Sequence, residues 1–368
     1  MKRKTNSYKT VFFCVVINTF ISGCVQKNET SNEIELTQES IVEKEIDKVL
    51  NIQFQKGKLN GNILVLKNKK ILYERSFGYS DGTKKTVLTK DYRFNIGSVY
   101  KEFPAVAIMQ LQEKKLLELD DKIKKYLPYL PEWSSKITIK HLLQYSSGLP
   151  KVKWGDYFRK NISMSNEDVF RDIQKIKKLE FEPGTDYLYT NNSPILLMNI
   201  VEKITQQSFE NYATKNLFIP YGLEHTLIKD QYPYTDKELM AIPFNAEFNE
   251  DTYKVSVTSV LFSSTTKDMY HWFKNLDAFN IITKKSVQFL SETVKEGDDI
   301  ESPLGLGEWK NDKIIEHSHQ GSTANYECLI RRFKQDDFTI IILTNQRNKN
   351  VYDISDSIIK VISSNNNS

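Results

Sequence analysis

Apolar residues recur at helical spacing from Ile41 through Val42, Ile46, Val49, Leu50 and Phe54, and Ser40 followed by Glu43 forms a capping box at their head. A first helix is predicted to about Gly57. The pattern then shifts to two β-rich runs, residues 61–66 and 71–78, joined by a polar turn at residues 67–70, which predicts a hairpin. After a loop over residues 79–91 comes Asn95-Ile96-Gly97-Ser98-Val99-Tyr100-Lys101, leading into Phe103, Val106, Ala107, Ile108, Met109 and Leu111. Apolar residues on nearly every face predict a helix surrounded by protein.

From about residue 120 to 280 the pattern is of helical segments broken by proline and glycine, and it reads as a helical region inserted between strands. Within it, residues 137–148 predict a short helix ending at a glycine cap, with His141 in a structural role. The tryptophans at 133, 154 and 272 read as packing residues. Strand patterns return at residues 313–317, 325–333 and 338–344, followed by a helix over about 351–362. The predicted fold class is α/β of the α+β type. One antiparallel sheet is assembled from N- and C-terminal segments, flanked by helices, with an all-helical region inserted.

The N-terminus changes the picture of charge and location. Lys2, Arg3, Lys4 and Lys9 precede an apolar run of about a dozen residues ending in Ile21-Ser22-Gly23-Cys24, the build of a signal peptide rather than a membrane span. Small residues before a cysteine resemble the bacterial lipobox. That resemblance implies cleavage before Cys24, lipidation of Cys24 and attachment to a lipid bilayer in the bacterial cell envelope, facing the periplasm or exterior. The predicted organisation is a signal over residues 1–23, a flexible tether over 24–39 and one domain over 40–364. The chain has 51 basic and 47 acidic residues; without the first 23 the two counts are equal at 47, so no basic block remains for nucleic acid. Cys14 leaves with the signal and Cys24 is lipidated, which leaves Cys328 without a partner and predicts no disulfide.

Ser98 and Lys101 lie three residues apart, on one helix face, so the lysine amine can stand beside the hydroxyl, as an activated nucleophile requires. The same S-x-x-K spacing recurs at Ser264 to Lys267 and Ser357 to Lys360. The former lies where Thr265 and Asp268 resemble a helix cap, the latter in a polar-faced helix; only Ser98 heads a long buried one. Two further motifs are Tyr189-Thr190-Asn191, the only Y-x-N in the chain, and His319-Gln320-Gly321-Ser322. His317 and His319 share a strand face, but Gln320-Gly321-Ser322 supplies no ligand and no metal or cofactor is predicted.

These three motifs in this order, with residues 137–150 and Leu304-Gly305-Leu306-Gly307 around them, resemble the serine β-lactamase-related hydrolases, in the branch of class C β-lactamases, D-amino-acid peptidases and esterases. The resemblance covers the chain from about Ile41. It implies Ser98 as nucleophile, Lys101 and Tyr189 sharing the proton work, Asn191 positioning substrate, and the amides of Ser98 and Ser322 forming an oxyanion hole, with Gly321 allowing close approach. His319 stands where β-lactamases of this superfamily usually carry a lysine, which implies weaker anchoring of a substrate carboxylate. The implied substrate is a small-molecule or peptide amide or ester. The alternatives are a true β-lactamase or D-alanyl-D-alanine carboxypeptidase, or a non-catalytic relative binding peptidoglycan or a protein. Three departures stand out: residues 257–264 lack the usual glycines, Asn192-Ser193-Pro194 replaces a glycine after Y-x-N, and Pro104 lies early in the nucleophile helix. Oligomeric state has no signal in the sequence.

Overall fold

Helix α1 (Gln38–Gln55) leads into the hairpin of β1 (Gly61–Lys67) and β2 (Lys70–Phe77), whose two turn residues, Asn68 and Lys69, both take positive φ. That is the backbone twist a two-residue hairpin turn needs. The computed structural model describes residues 38–366 except 160–161, 230, 236, 296 and 298–299, so the signal, Cys24 and nearly all of the tether lie outside the described residues. Strand β3 (Phe94–Asn95) delivers the chain to a 3₁₀ turn, Gly97–Lys101, and then to helix α2 (Glu102–Glu113).

Every residue of α2 from Glu102 to Leu111 is buried, as apolar residues on nearly every face predict. Phe103 sits in an aromatic cluster, 4.4 Å from Trp272, 5.3 Å from Phe218 and 5.6 Å from Phe262, measured between ring centres. Pro104 now has a physical account. The α-helix proper begins at Glu102, so Pro104 falls in its first turn, where a backbone N–H has no partner within the helix.

The middle of the chain is mainly helical: α3 (Ile139–Leu143), α4 (Trp154–Arg159), α5 (Asn166–Gln174), α6 (Asn192–Thr205), α7 (Phe209–Ala213), α8 (Thr266–Asp277) and α9 (Lys284–Ser291). It also carries short strands that the sequence pattern does not signal. β4 (Met164–Ser165) pairs in parallel with β6 (Val255–Ser256), and β7 (Phe262–Ser264) lies between β3 and β5 (Leu227–Ile228). His141 is structural as expected: its ring accepts the Thr138 amide while the Thr138 hydroxyl caps the His141 amide, closing α3.

The chain returns to the main sheet with β8 (Leu306–Lys310), β9 (Lys313–Thr323), β10 (Tyr326–Phe333) and β11 (Phe338–Thr344), and ends in α10 (Val351–Asn366). Strand order is β2-β1-β11-β10-β9-β8, antiparallel throughout, with Gly61 opposite Thr344 where the two ends of the chain meet. Alternation in β1 sends Ile63 and Val65 to one face, under Ile46 and Leu50 of α1 and Ile354 and Ile358 of α10. Leu64 and Leu66 go to the other, in the core that holds α2, α6 and α8. A strand covered on both faces reads as a continuous apolar run, which is why residues 63–66 show no polar position.

Candidate active site

The tight turn before α2 exists because Gly97 takes φ +51°, and a Cβ there would lie 2.2 Å from the Ser322 amide nitrogen. Gly321 is pressed just as closely from the other side, where a Cβ would stand 2.2 Å from the Ile96 carbonyl oxygen and 2.7 Å from the Ser98 nitrogen. Glycine at both positions lets β9 lie directly against the turn that carries Ser98. The backbones carrying the Ser98 and Ser322 amides are therefore neighbours, and both residues line one cavity.

Ser98 Oγ lies 2.9 Å from Lys101 Nζ and 2.9 Å from the Tyr189 hydroxyl. The Y-x-N segment is held by backbone and side-chain braces: the Leu188 amide donates to the Tyr145 carbonyl, and Thr190 Oγ1 and Asn192 Nδ2 both donate to the Pro150 carbonyl, at 2.7 and 2.8 Å. Asn191 follows at the start of α6, with its Oδ1 accepting from the Tyr100 hydroxyl at 3.2 Å.

Lys101 is 3 % exposed. Burial pulls its amine down to about 7, partly opposed by the charge of Glu301. Near neutrality it is available as a proton acceptor. Burial has the opposite effect on Tyr189, which is raised well above the ordinary phenol range, with Glu301 adding to the rise, so its hydroxyl keeps its proton and can donate it. The two groups flanking Ser98 Oγ are thus an amine able to take a proton and a phenol able to give one.

His319, expected to meet substrate, is 4 % exposed; its Nδ1 lies 2.7 Å from Glu102 Oε1, and its Nε2 has no hydrogen-bond partner among the described residues. The physical reason is strand alternation. His319 shares the face of His317 and Gly321, which packs down onto α2 and α8, and the buried Glu102 carboxylate on α2 is the nearest strong acceptor.

Glu102 is the centre of a buried polar cluster that sequence reading missed. Its second oxygen accepts from Trp272 Nε1 at 2.6 Å, while His317 lies 3.5 Å from Glu102 and 2.9 Å from Asp277, which is itself 2.8 Å from Arg332. Burial alone would raise the Glu102 carboxyl, but hydrogen bonds and charge from His317 and His319 outweigh it and hold it below its usual range. Burial likewise opposes charge on His317, yet Asp277 and Glu102 hold it up to about 10. The available signal was a charged residue, Glu102, directly heading the apolar run of residues 103–109.

The two other S-x-x-K serines have structural partners. Ser264 bonds Thr226 across 2.8 Å while Thr265 caps α8, and Ser357 donates to the Asp353 carbonyl within α10. Of the tryptophans, Trp272 is core, Trp133 donates to the Ile176 carbonyl, and Trp154 packs against the core as expected while also lining the cavity.

Residues 42–361 match the family model described as Beta-lactamase. The chain belongs to the beta-lactamase family. This beta-lactamase-family chain is 27% identical over 328 residues to penicillin-binding protein 4* of Bacillus subtilis (strain 168), covering 81% of this chain and 71% of that protein. It is 27% identical over 321 residues to Protein flp of Staphylococcus aureus (strain MW2), covering 82% of this chain and 63% of that one, so it spans under two thirds of the latter's length. Among solved structures, the penicillin binding protein from Bacillus halodurans superposes with a TM-score of 0.74 at 22% identity, over 85% of this chain and 98% of that one. The fold is the one shared by beta-lactamases and penicillin-binding proteins, and the family is one of serine hydrolases.

Proposed function

We propose that this protein forms an acyl-enzyme at Ser98 and cleaves an amide or ester, and that it does so anchored to a membrane of the cell envelope through lipidated Cys24. The observation that carries the first part is Ser98 Oγ within 2.9 Å of both Lys101 Nζ and the Tyr189 hydroxyl. Ser98 Oγ attacks the carbonyl carbon and its proton passes to the Lys101 amine. The carbonyl oxygen takes up charge against the Ser98 and Ser322 amides. As the bond to the leaving atom breaks, Tyr189 gives that atom its proton and regains one from the Lys101 ammonium. Water then attacks the acyl-enzyme, the ester bond to Ser98 breaks, and a carboxylic acid is released. Asn191, fixed by Tyr100, positions the substrate.

A serine-directed fluorophosphonate tests the acyl-enzyme reading. The wild type is expected to gain one adduct by intact mass, mapped to Ser98, and Ser98→Ala none; an unlabelled wild type would refute it. The anchoring reading rests on the lipobox-like Ile21-Ser22-Gly23-Cys24. Cys24→Ser is expected to move the protein from the membrane to the soluble fraction, because two or more acyl chains hold a protein firmly where one does not. Unchanged sedimentation with membranes would refute that part.

A further inference from the structure

The cavity beside Ser98 is walled by rings. Tyr100, Tyr234 and Tyr326, all buried, line its inner part, and the half-buried Trp154, Tyr232 and Tyr253 stand around it, with Val255 and Val260 between. Three of the phenols have their hydroxyls committed to protein acceptors: Tyr100 to Asn191, Tyr232 to the Asp251 carbonyl, and Tyr326 to the Ala241 carbonyl. What these side chains leave for a ligand is mainly carbon. Tyr232 and Tyr234 pack edge to face at 5.2 Å and Tyr100 packs on Phe262 at 5.3 Å, so the walls are braced from behind.

Charge is scarce here. Among the described residues that line the cavity there is no carboxylate, and Lys101 is the sole basic side chain, already bonded to Ser98. His319, the side chain expected from sequence to meet a substrate carboxylate, is buried against Glu102. A substrate anion entering this cavity would be desolvated with no cation to pair with beyond Lys101, which is costly. The volume, about 230 Å³, exceeds the roughly 150 Å³ in which an apolar protein cavity takes up benzene, so an aromatic ring with a short linker fits.

The side of the scissile bond also follows. Tyr189, the proton donor to the leaving atom in the reading above, is outside the cavity wall, whereas Ser98, Asn191 and Ser322 are part of it. The leaving group therefore departs on the Tyr189 side and the cavity receives the acyl part.

Building on the acyl-enzyme reading, we infer that the substrates are esters or amides of uncharged arylalkyl carboxylic acids, with the aryl group of the acyl part held in the Trp154–Tyr232–Tyr253 cavity. The acylation chemistry is unchanged from that above; only the acyl group is specified. The test holds the leaving group constant and compares p-nitrophenyl acetate, p-nitrophenyl phenylacetate and the p-nitrophenyl monoester of glutaric acid, following p-nitrophenolate release and Ser98 acylation by intact mass. The phenylacetyl ester is expected to exceed the acetyl ester at least tenfold in kcat/KM, and the anionic glutaryl ester to fall below both. Trp154→Ala and Tyr253→Ala, at half-buried positions, are expected to cut the phenylacetyl-to-acetyl ratio at least threefold. Ser98 acylated by all three esters with the acetyl or glutaryl ester preferred would overturn the inference and leave the acyl-enzyme reading standing, as would a ratio unmoved in both variants. Failure of every ester to acylate Ser98 would remove the reading and this inference together.

Discussion

A buried lysine whose amine is pulled down to about 7 sets the pH dependence of the site. Below that value Lys101 is an ammonium and cannot take the Ser98 proton; above it the amine is free. The kcat/KM of the best ester is therefore expected to rise about tenfold per pH unit on the acid side, bend near pH 7 and stay level above it, since Tyr189 keeps its proton far into the alkaline range. A profile flat from pH 5 to pH 9 would exclude Lys101 as the base. Lys101→Ala and Tyr189→Phe are each expected to lower kcat/KM about a hundredfold or more, and the double variant much less than the product, because the two groups act as a unit on one oxygen. Ser264→Ala, which removes a hydroxyl bonded to Thr226 and the Thr265 carbonyl, is expected to leave kcat/KM unchanged. At this scale the sequence was informative where chemistry is local. Ser98 and Lys101 sit one helical turn apart, so their meeting is dictated by spacing, whereas the Tyr189 hydroxyl reaches Ser98 from 91 positions away and was recognisable only through its motif. The pairing of His319 with Glu102 was not recognisable, because a motif gives a strand position and not the buried acceptor that the side chain then meets.

Between elements, Glu102 is the joint. One carboxylate bonds α2 to Trp272 on α8 and to His319 on β9, the strand that also carries Ser322. Removing it leaves a charged His317 buried without one of its two carboxylates, so Glu102→Ala is expected to cost about 3–5 kcal/mol in urea unfolding, the range for breaking a buried ion pair. Glu102→Gln, which keeps an acceptor for Trp272, is expected to cost less. His319→Ala serves as the discriminating variant: it is expected to lower stability while leaving KM for an anionic ester unchanged, and a KM rise confined to anionic esters would return His319 to the substrate. None of these pairings was legible in the sequence, because nothing in spacing tells which of several buried polar groups, separated by 170 or more positions, will share a proton. The same limit hid the short strands β3 to β7, whose two or three residues are too few to show a period.

For the molecule as a whole, the decisive arrangement is that the last strand lies beside the first: β11 is clasped between β1 and β10, and α1 and α10 cover the same face of the sheet. This closure was visible in outline, because β-rich runs stood at both ends of the chain and the interior was broken by proline and glycine. The register and the strand β8 were not, since burial along β8 alternates without apolar emphasis, leaving Leu306 exposed. Closure makes α10 part of the core rather than an appendage. Val351, Ile354, Ile358 and Ile362 are at most 2 % exposed, and each such side chain contributes about 1.5–3 kcal/mol on burial, so the four together are of the same order as the net stability of a typical domain, about 5–15 kcal/mol. A chain ending before Val351 is therefore expected not to fold cooperatively, although Ser98, Lys101 and Tyr189 all remain present. Ile354→Ala and Ile358→Ala are each expected to lower stability by about 2–5 kcal/mol with kcat/KM retained at 20 °C, while Ser357→Ala in the same helix costs less than about 0.5 kcal/mol. Urea unfolding followed by tryptophan fluorescence measures all four, and a truncated chain with a wild-type midpoint would show that the C-terminal helix is an accessory and the closure argument is mistaken.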